Sequence, residues 1–212
     1  MADTIKAVLF DMDGVLIEAR QWHYEALNRA LSLFGFEISR YDHLVTYDGL
    51  PTRRKLEMLS RERGLPSGLH TLVNDLKQRY TMEIVHSKCH PTFHHQYALG
   101  QLKGRGMALA LCSNSIRQTV DQMLARAGIL GSFDLTLSSE DVTLSKPDPE
   151  IYATAIRRLG LRPSQCLVVE DNENGIRAAT AAGAHVMAVE GTEDVTYENI
   201  AARIAQLESA HA

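Results

Sequence analysis

The sequence predicts an α/β protein: a doubly wound parallel sheet with helices on both faces, and a small helical domain inserted after the first strand. Three observations lead there. An apolar run, Ala7-Val8-Leu9-Phe10, breaks into Asp11-Met12-Asp13-Gly14, as a buried strand does on entering a turn. From Pro91 onward, short apolar runs alternate with segments of helical spacing, the order that builds a parallel sheet. Between these regions, residues 17–87 carry helical spacing and no convincing strand.

Each element follows from its local pattern. Trp22, Ala26, Leu27, Ala30, Leu31 and Phe34 recur at helical spacing until Gly35 stops the run. A second helix starts near Thr52, a plausible N-cap after Gly49-Leu50-Pro51, and carries Leu56 and Leu59 before Gly64 ends it. A third covers residues 69–85, with Leu72, Val73, Leu76, Tyr80 and Ile84 on one side. Residues 93–103 are helical, and strand 107–112 runs into Ser113-Asn114-Ser115. Helix 116–127, strand 133–137, helix 150–159, strand 166–169, helix 174–182, strand 186–189 and helix 196–208 complete the alternation. The expected division is therefore a sheet domain of residues 1–17 and 88–212, and a helical domain of residues 18–87.

Composition bounds the partners. The chain has 212 residues, enough for a sizeable core, and a net charge of −4 that gives no case for nucleic acid or an anionic membrane. No apolar run approaches the length needed to span a bilayer, and residues 1–6 do not read as a secretory leader. The three cysteines, Cys89, Cys112 and Cys166, are widely spaced and suit buried positions in a reducing compartment. A cytoplasmic protein, monomeric or weakly self-associating, is expected.

Polar groups stand at the strand ends. Phe10 runs into Asp11 and Asp13, Cys112 into Ser113 and Asn114, and Val169 into Glu170 and Asp171; a loop adds Lys146, followed by Pro147. In a parallel sheet these ends share one edge, where open α/β folds hold their ligands. Clustered carboxylates want a hard divalent cation, most commonly Mg2+ where phosphate is also bound. A hydroxyl, backbone N–H groups and a lysine suit phosphate oxygens. One carboxylate can attack phosphorus while another shuttles the proton.

Four segments, Asp11-Met12-Asp13-Gly14-Val15-Leu16, Ser113-Asn114, Lys146-Pro147-Asp148 and Val169-Glu170-Asp171 with Gly175, resemble the motifs of the haloacid dehalogenase superfamily, in its order. The resemblance implies a Rossmann-like core with a helical cap of the type found in phosphoglycolate phosphatases and β-phosphoglucomutase. It implies that Asp11 is the nucleophile and that Asp13 is general acid and base. Asp11, the Asp13 carbonyl, Asp171 and Glu170 (directly or through water) would hold Mg2+. Ser113, Asn114 and Lys146 would bind phosphate. Aspartate at position 13 favours phosphoryl chemistry over dehalogenation, since a leaving oxygen needs a proton.

The expected substrate is a small phosphorylated metabolite. Candidate cap contacts are His23, where the mutase and its close relatives place a histidine, and Thr52 and Lys55 in the following loop and helix. Two departures favour a phosphatase over a phosphosugar mutase: Ala19 replaces a threonine of the mutase, and Thr52 stands near where the mutase has a substrate-contacting arginine. Of Arg53, Arg54 and Lys55, at least one is expected to face solvent, because adjacent helical positions point about 100° apart. His86, Cys89, His90, His94 and His95 are read as lying at a hinge and the start of a helix rather than as a zinc site.

Overall fold

The computed structural model describes residues 4–209. They fall into two compact units, residues 4–18 with 90–209, and Ala19–Cys89. The first holds a five-stranded, wholly parallel sheet made of β1 (Ala7–Phe10), β2 (Ala108–Cys112), β3 (Leu135–Leu137), β4 (Cys166–Glu170) and β5 (His185–Ala188). Their spatial order is β3-β2-β1-β4-β5. The order reverses direction at β1, so the crevice at its carboxyl end lies at a switch point of the topology.

Register and strand alternation set up that crevice. Leu9 lies opposite Ala110 and Val168, and Ala7 opposite Ala108 and Cys166. Ala7, Leu9, Ala110, Cys112, Cys166 and Val168 form one apolar face with Ile151, Tyr152, Ala155, Ala178 and Ala179 of the covering helices. The helical unit contains α1 (Arg20–Ser32), α2 (Arg40–Asp42), α3 (Thr52–Arg63) and α4 (His70–Lys88). The sheet unit contains α5 (Phe93–Gly104), α6 (Arg117–Arg126), α7 (Glu150–Arg158), α8 (Glu173–Ala181) and α9 (Tyr197–Ser209). Val8 and Phe10 point to the other face and are also fully buried, with Phe10 edge-on to Phe133. Burial on both faces explains why β1, β2 and β4 read as nearly continuous apolar runs.

In the helical unit, α1 packs along α4. Leu27, Ala30, Leu31, Ile38, Tyr47, Leu56, Leu59, Leu65 and Val73 form its core. Three details differ from the sequence reading. Thr52 is not an N-cap: the cap position is Pro51, which has no side-chain cap bond, and Thr52 is the first helical residue. Leu72 is half-exposed rather than on the buried side of α4. A π-helical turn, His43–Tyr47, follows α2, where no helical spacing was legible. No helix among the described residues is long and apolar enough to cross a membrane. Cys89, Cys112 and Cys166 are all buried thiols.

Candidate active site

The apolar row of Leu9, Ala110 and Val168 continues one alternation further to Asp11, Cys112 and Glu170. Asp11 donates its backbone N–H to Val169, which ties the turn to β4 at 3.1 Å. Lys146 arrives from the loop before α7, and its ammonium donates to Asp11 Oδ1 (2.6 Å), Glu170 Oε1 (2.6 Å) and the Cys112 carbonyl (2.8 Å). These contacts use all three ammonium protons. The side chains are almost dry, 4% exposed for Lys146 and 1% for Glu170.

Electrostatics in this cluster follow from burial. Burial raises the Asp11 carboxyl well above the usual carboxylate range against the pull of Lys146, and the negative charges of Glu170, Asp13 and Asp171 push the same way. Burial opposes the charge on Lys146, yet Asp11 and Glu170 more than offset it and hold its pKa above that of an ordinary lysine. Lys146 therefore stays cationic. The Tyr152 phenol donates to Glu170 Oε1 at 2.6 Å, and burial, then Glu170 and Asp11, raise its pKa well above normal, so it stays protonated.

Asp13 lies past the end of β1 in a turn where Leu16 and Ile17 donate to the Met12 carbonyl and Gly14 to Ile17. Gly14 adopts a φ of 93°, which other residues rarely take. Ser115 donates its hydroxyl to Asp13 Oδ2 at 3.0 Å, a contact the sequence reading missed. The only signal available was a third polar residue after β2. Ser113 is buried and its Oγ accepts the Ser115 N–H, while Asn114 Oδ1 accepts the Lys146 N–H at 3.1 Å. The Lys146 loop is held further by Glu150, whose carboxylate accepts the N–H groups of Thr143 and Leu144 and is lowered in pKa by them.

One oxygen each of Asp11, Glu170 and Asp171 lies within 4.8 Å of the others. This is the one group of three or more such residues spaced to hold a metal ion among the described residues. An all-carboxylate donor set fits a hard divalent cation such as Mg2+. Gly175 on α8 makes the arrangement possible: a Cβ there would fall 1.9 Å from Glu170 Oε1 and 2.3 Å from Oε2. Glycine is required for close approach, since the carboxylate occupies the space a side chain would need.

The other candidates belong to the helical unit. Lys77 donates to His23 Nδ1 at 3.2 Å. An ammonium can only donate, so Nδ1 accepts and the ring proton sits on Nε2. Lys55 is buried, whereas Arg53 and Arg54 are exposed and pair with Glu57, so the run divides between interior and solvent as the helical repeat requires. His43 is buried beside Tyr24 and Asp48, and burial, reinforced by Lys55, lowers its pKa to about 4. Of the histidine-rich segment, His94 and His95 both direct Nε2 at the Thr192 carbonyl, a structural contact of α5.

Residues 8–189 match the family of haloacid dehalogenase-like hydrolases. The chain belongs to that family. Among the relatives of this haloacid dehalogenase-like hydrolase is a phosphorylated carbohydrates phosphatase of Thermotoga maritima, 30% identical over 182 residues, spanning 84% of this chain and 82% of that protein. A phosphoglycolate phosphatase of Aquifex aeolicus is 28% identical over 180 residues, spanning 84% and 82% of the two chains. The crystal structure of a β-phosphoglucomutase from Clostridium difficile superposes with a TM-score of 0.82 at 20% identity, over 96% of this chain and 98% of that one, and shows the shared fold. The hydrolase is thus an enzyme of the expected α/β class, with its acidic cluster at the strand ends.

Proposed function

We propose that the enzyme is a Mg2+-dependent phosphatase that hydrolyses a small phosphorylated metabolite, a sugar phosphate or similar ester, through an aspartyl-phosphate intermediate on Asp11. The observation that carries this reading is the Asp11–Lys146–Glu170 arrangement: a carboxylate held against a buried cation, with Asp13 two residues beyond it. The two relatives named as phosphatases support the reaction class and the small-ester substrate.

The residue roles are those that the family's motifs imply. Asp11 attacks phosphorus through a carboxylate oxygen as the ester O–P bond breaks, and Asp13 gives its proton to the leaving oxygen. Asp13, now a carboxylate, takes a proton from water. That water attacks phosphorus, the Asp11–phosphorus bond breaks, and inorganic phosphate leaves. Ser115 holds Asp13 by the hydroxyl contact noted above. Ser113, Asn114 and Lys146 bind phosphate oxygens, and one of the Lys146 contacts yields to the substrate. Asp11, the Asp13 carbonyl, Asp171 and Glu170 would hold Mg2+, which when bound offsets the charge of the phosphoryl group. The helical unit serves as the substrate-selecting cap, with His23, Thr52 and Lys55 as its candidate contacts.

Phosphate release from a panel of sugar and small organic phosphates, with Mg2+ and with EDTA, tests the reading. Release that needs the metal and no bisphosphate activator is expected. A folded enzyme that releases nothing from the panel overturns it, and isomerisation of a sugar phosphate on adding bisphosphate would identify a mutase instead.

A further inference from the structure

Tyr152 has no part in the chemistry above, yet it touches two members of the site. Its ring belongs to the apolar face under the sheet and is fully buried on α7. Its hydroxyl reaches the first polar position of the same row, donating to Glu170 Oε1. Lys146 Nζ also lies 4.7 Å from the centre of the Tyr152 ring, within the range of a cation–π contact.

The bonding of Glu170 explains why such an anchor matters. Oε1 takes the Lys146 ammonium and the Tyr152 hydroxyl, both at 2.6 Å, while Oε2 faces the backbone N–H groups of Asp171 (3.2 Å) and Asn172 (3.5 Å). Lys146 is the less permanent of the two Oε1 partners. It sits on a flexible stem, and all its protons are committed, so a phosphate oxygen must displace one of its contacts. Tyr152 is rigid, packed by its ring, and carries a single donor with one acceptor in reach.

We propose that Tyr152 is a positioning residue that fixes the Glu170 carboxylate for the divalent cation and keeps Oε1 satisfied when Lys146 turns to substrate. This rests on the reading of Asp11, Glu170 and Asp171 as the cation site. Outer-layer hydrogen bonds of this kind are commonly worth about 10–100-fold in metal affinity.

Calorimetric titration of the metal-free full-length protein with Mg2+ tests it without relying on turnover. Tyr152→Phe keeps the ring and removes only the hydroxyl, and is expected to weaken Mg2+ binding by about 10–100-fold. In a Glu170→Gln background the same change is expected to alter affinity less than about twofold, because the coupling runs through that carboxylate. Mg2+ affinity within about twofold of wild type for folded Tyr152→Phe overturns the proposal, as does an equal loss in both backgrounds. Wild type that binds no Mg2+ overturns the cation reading itself, so the two failures are distinct.

Discussion

At the scale of single residues, the site is decided by close approaches that leave no spare volume. Gly175 is the clearest case, because the Glu170 carboxylate lies where its Cβ would be. Gly175→Ala is expected to force the Glu170 carboxylate or the start of α8 to move, costing about 1–3 kcal/mol of stability and greatly weakening Mg2+ binding. Urea unfolding and metal titration of the variant check both, and unchanged values would contradict the assignment. Sequence alone marked Gly175 as part of a motif but not why it must be glycine. Ser115 and Tyr152 were missed for a related reason. Each acquires meaning from an acid on a distant strand, so nothing in its local pattern separates it from a loop serine or a core aromatic.

At the scale of elements, the strands were legible as short apolar runs bounded by turn residues, and the long helices by their helical spacing. The turn at residues 43–47 was not: the buried pair four residues apart is His43 and Tyr47, while the apolar Leu44 and Val45 are exposed, so the hydrophobic pattern does not mark the inward face. This turn carries a pH dependence. His43 is surrounded by Tyr24, Asp48, Lys55, Arg40 and His23, and its pKa falls to about 4 in the fold. Between the unfolded value near 6.5 and that folded value, the unfolded chain binds more protons, so stability declines as pH falls through this window. With partial solvation allowed for, the loss is about 1–2 kcal/mol. Urea midpoints at pH 7 and pH 5 are expected to fall further for wild type than for His43→Gln; equal falls would show that His43 is not the source. The charge run at the start of α3 shows a different limit. The helical repeat requires its members to diverge, but only packing determines that Lys55 is the one turned inward.

For the molecule as a whole, the strand order brings segments more than a hundred residues apart to one edge, and Lys146 staples them. Its ammonium joins the ends of β1, β2 and β4 to the loop that carries it. Lys146→Met is expected to cost about 3–5 kcal/mol, because removing one member of a buried ion pair leaves the others uncompensated. Urea unfolding in EDTA measures this, and a loss below about 1 kcal/mol would show that the staple is not structural. The convergence itself was readable, since polar residues at the ends of apolar runs must meet in a parallel sheet. What the sequence could not supply was the three-way bonding of Lys146, which depends on strand register. The proposed mechanism turns on a covalent bond between Asp11 and phosphorus. Acid quench during turnover, followed by peptide mass spectrometry, tests it most directly. A phosphoryl group on Asp11 is expected in wild type, and neither adduct nor turnover in Asp11→Asn. A phosphoryl group on another residue, or an Asp11→Asn enzyme that retains wild-type turnover, would contradict it.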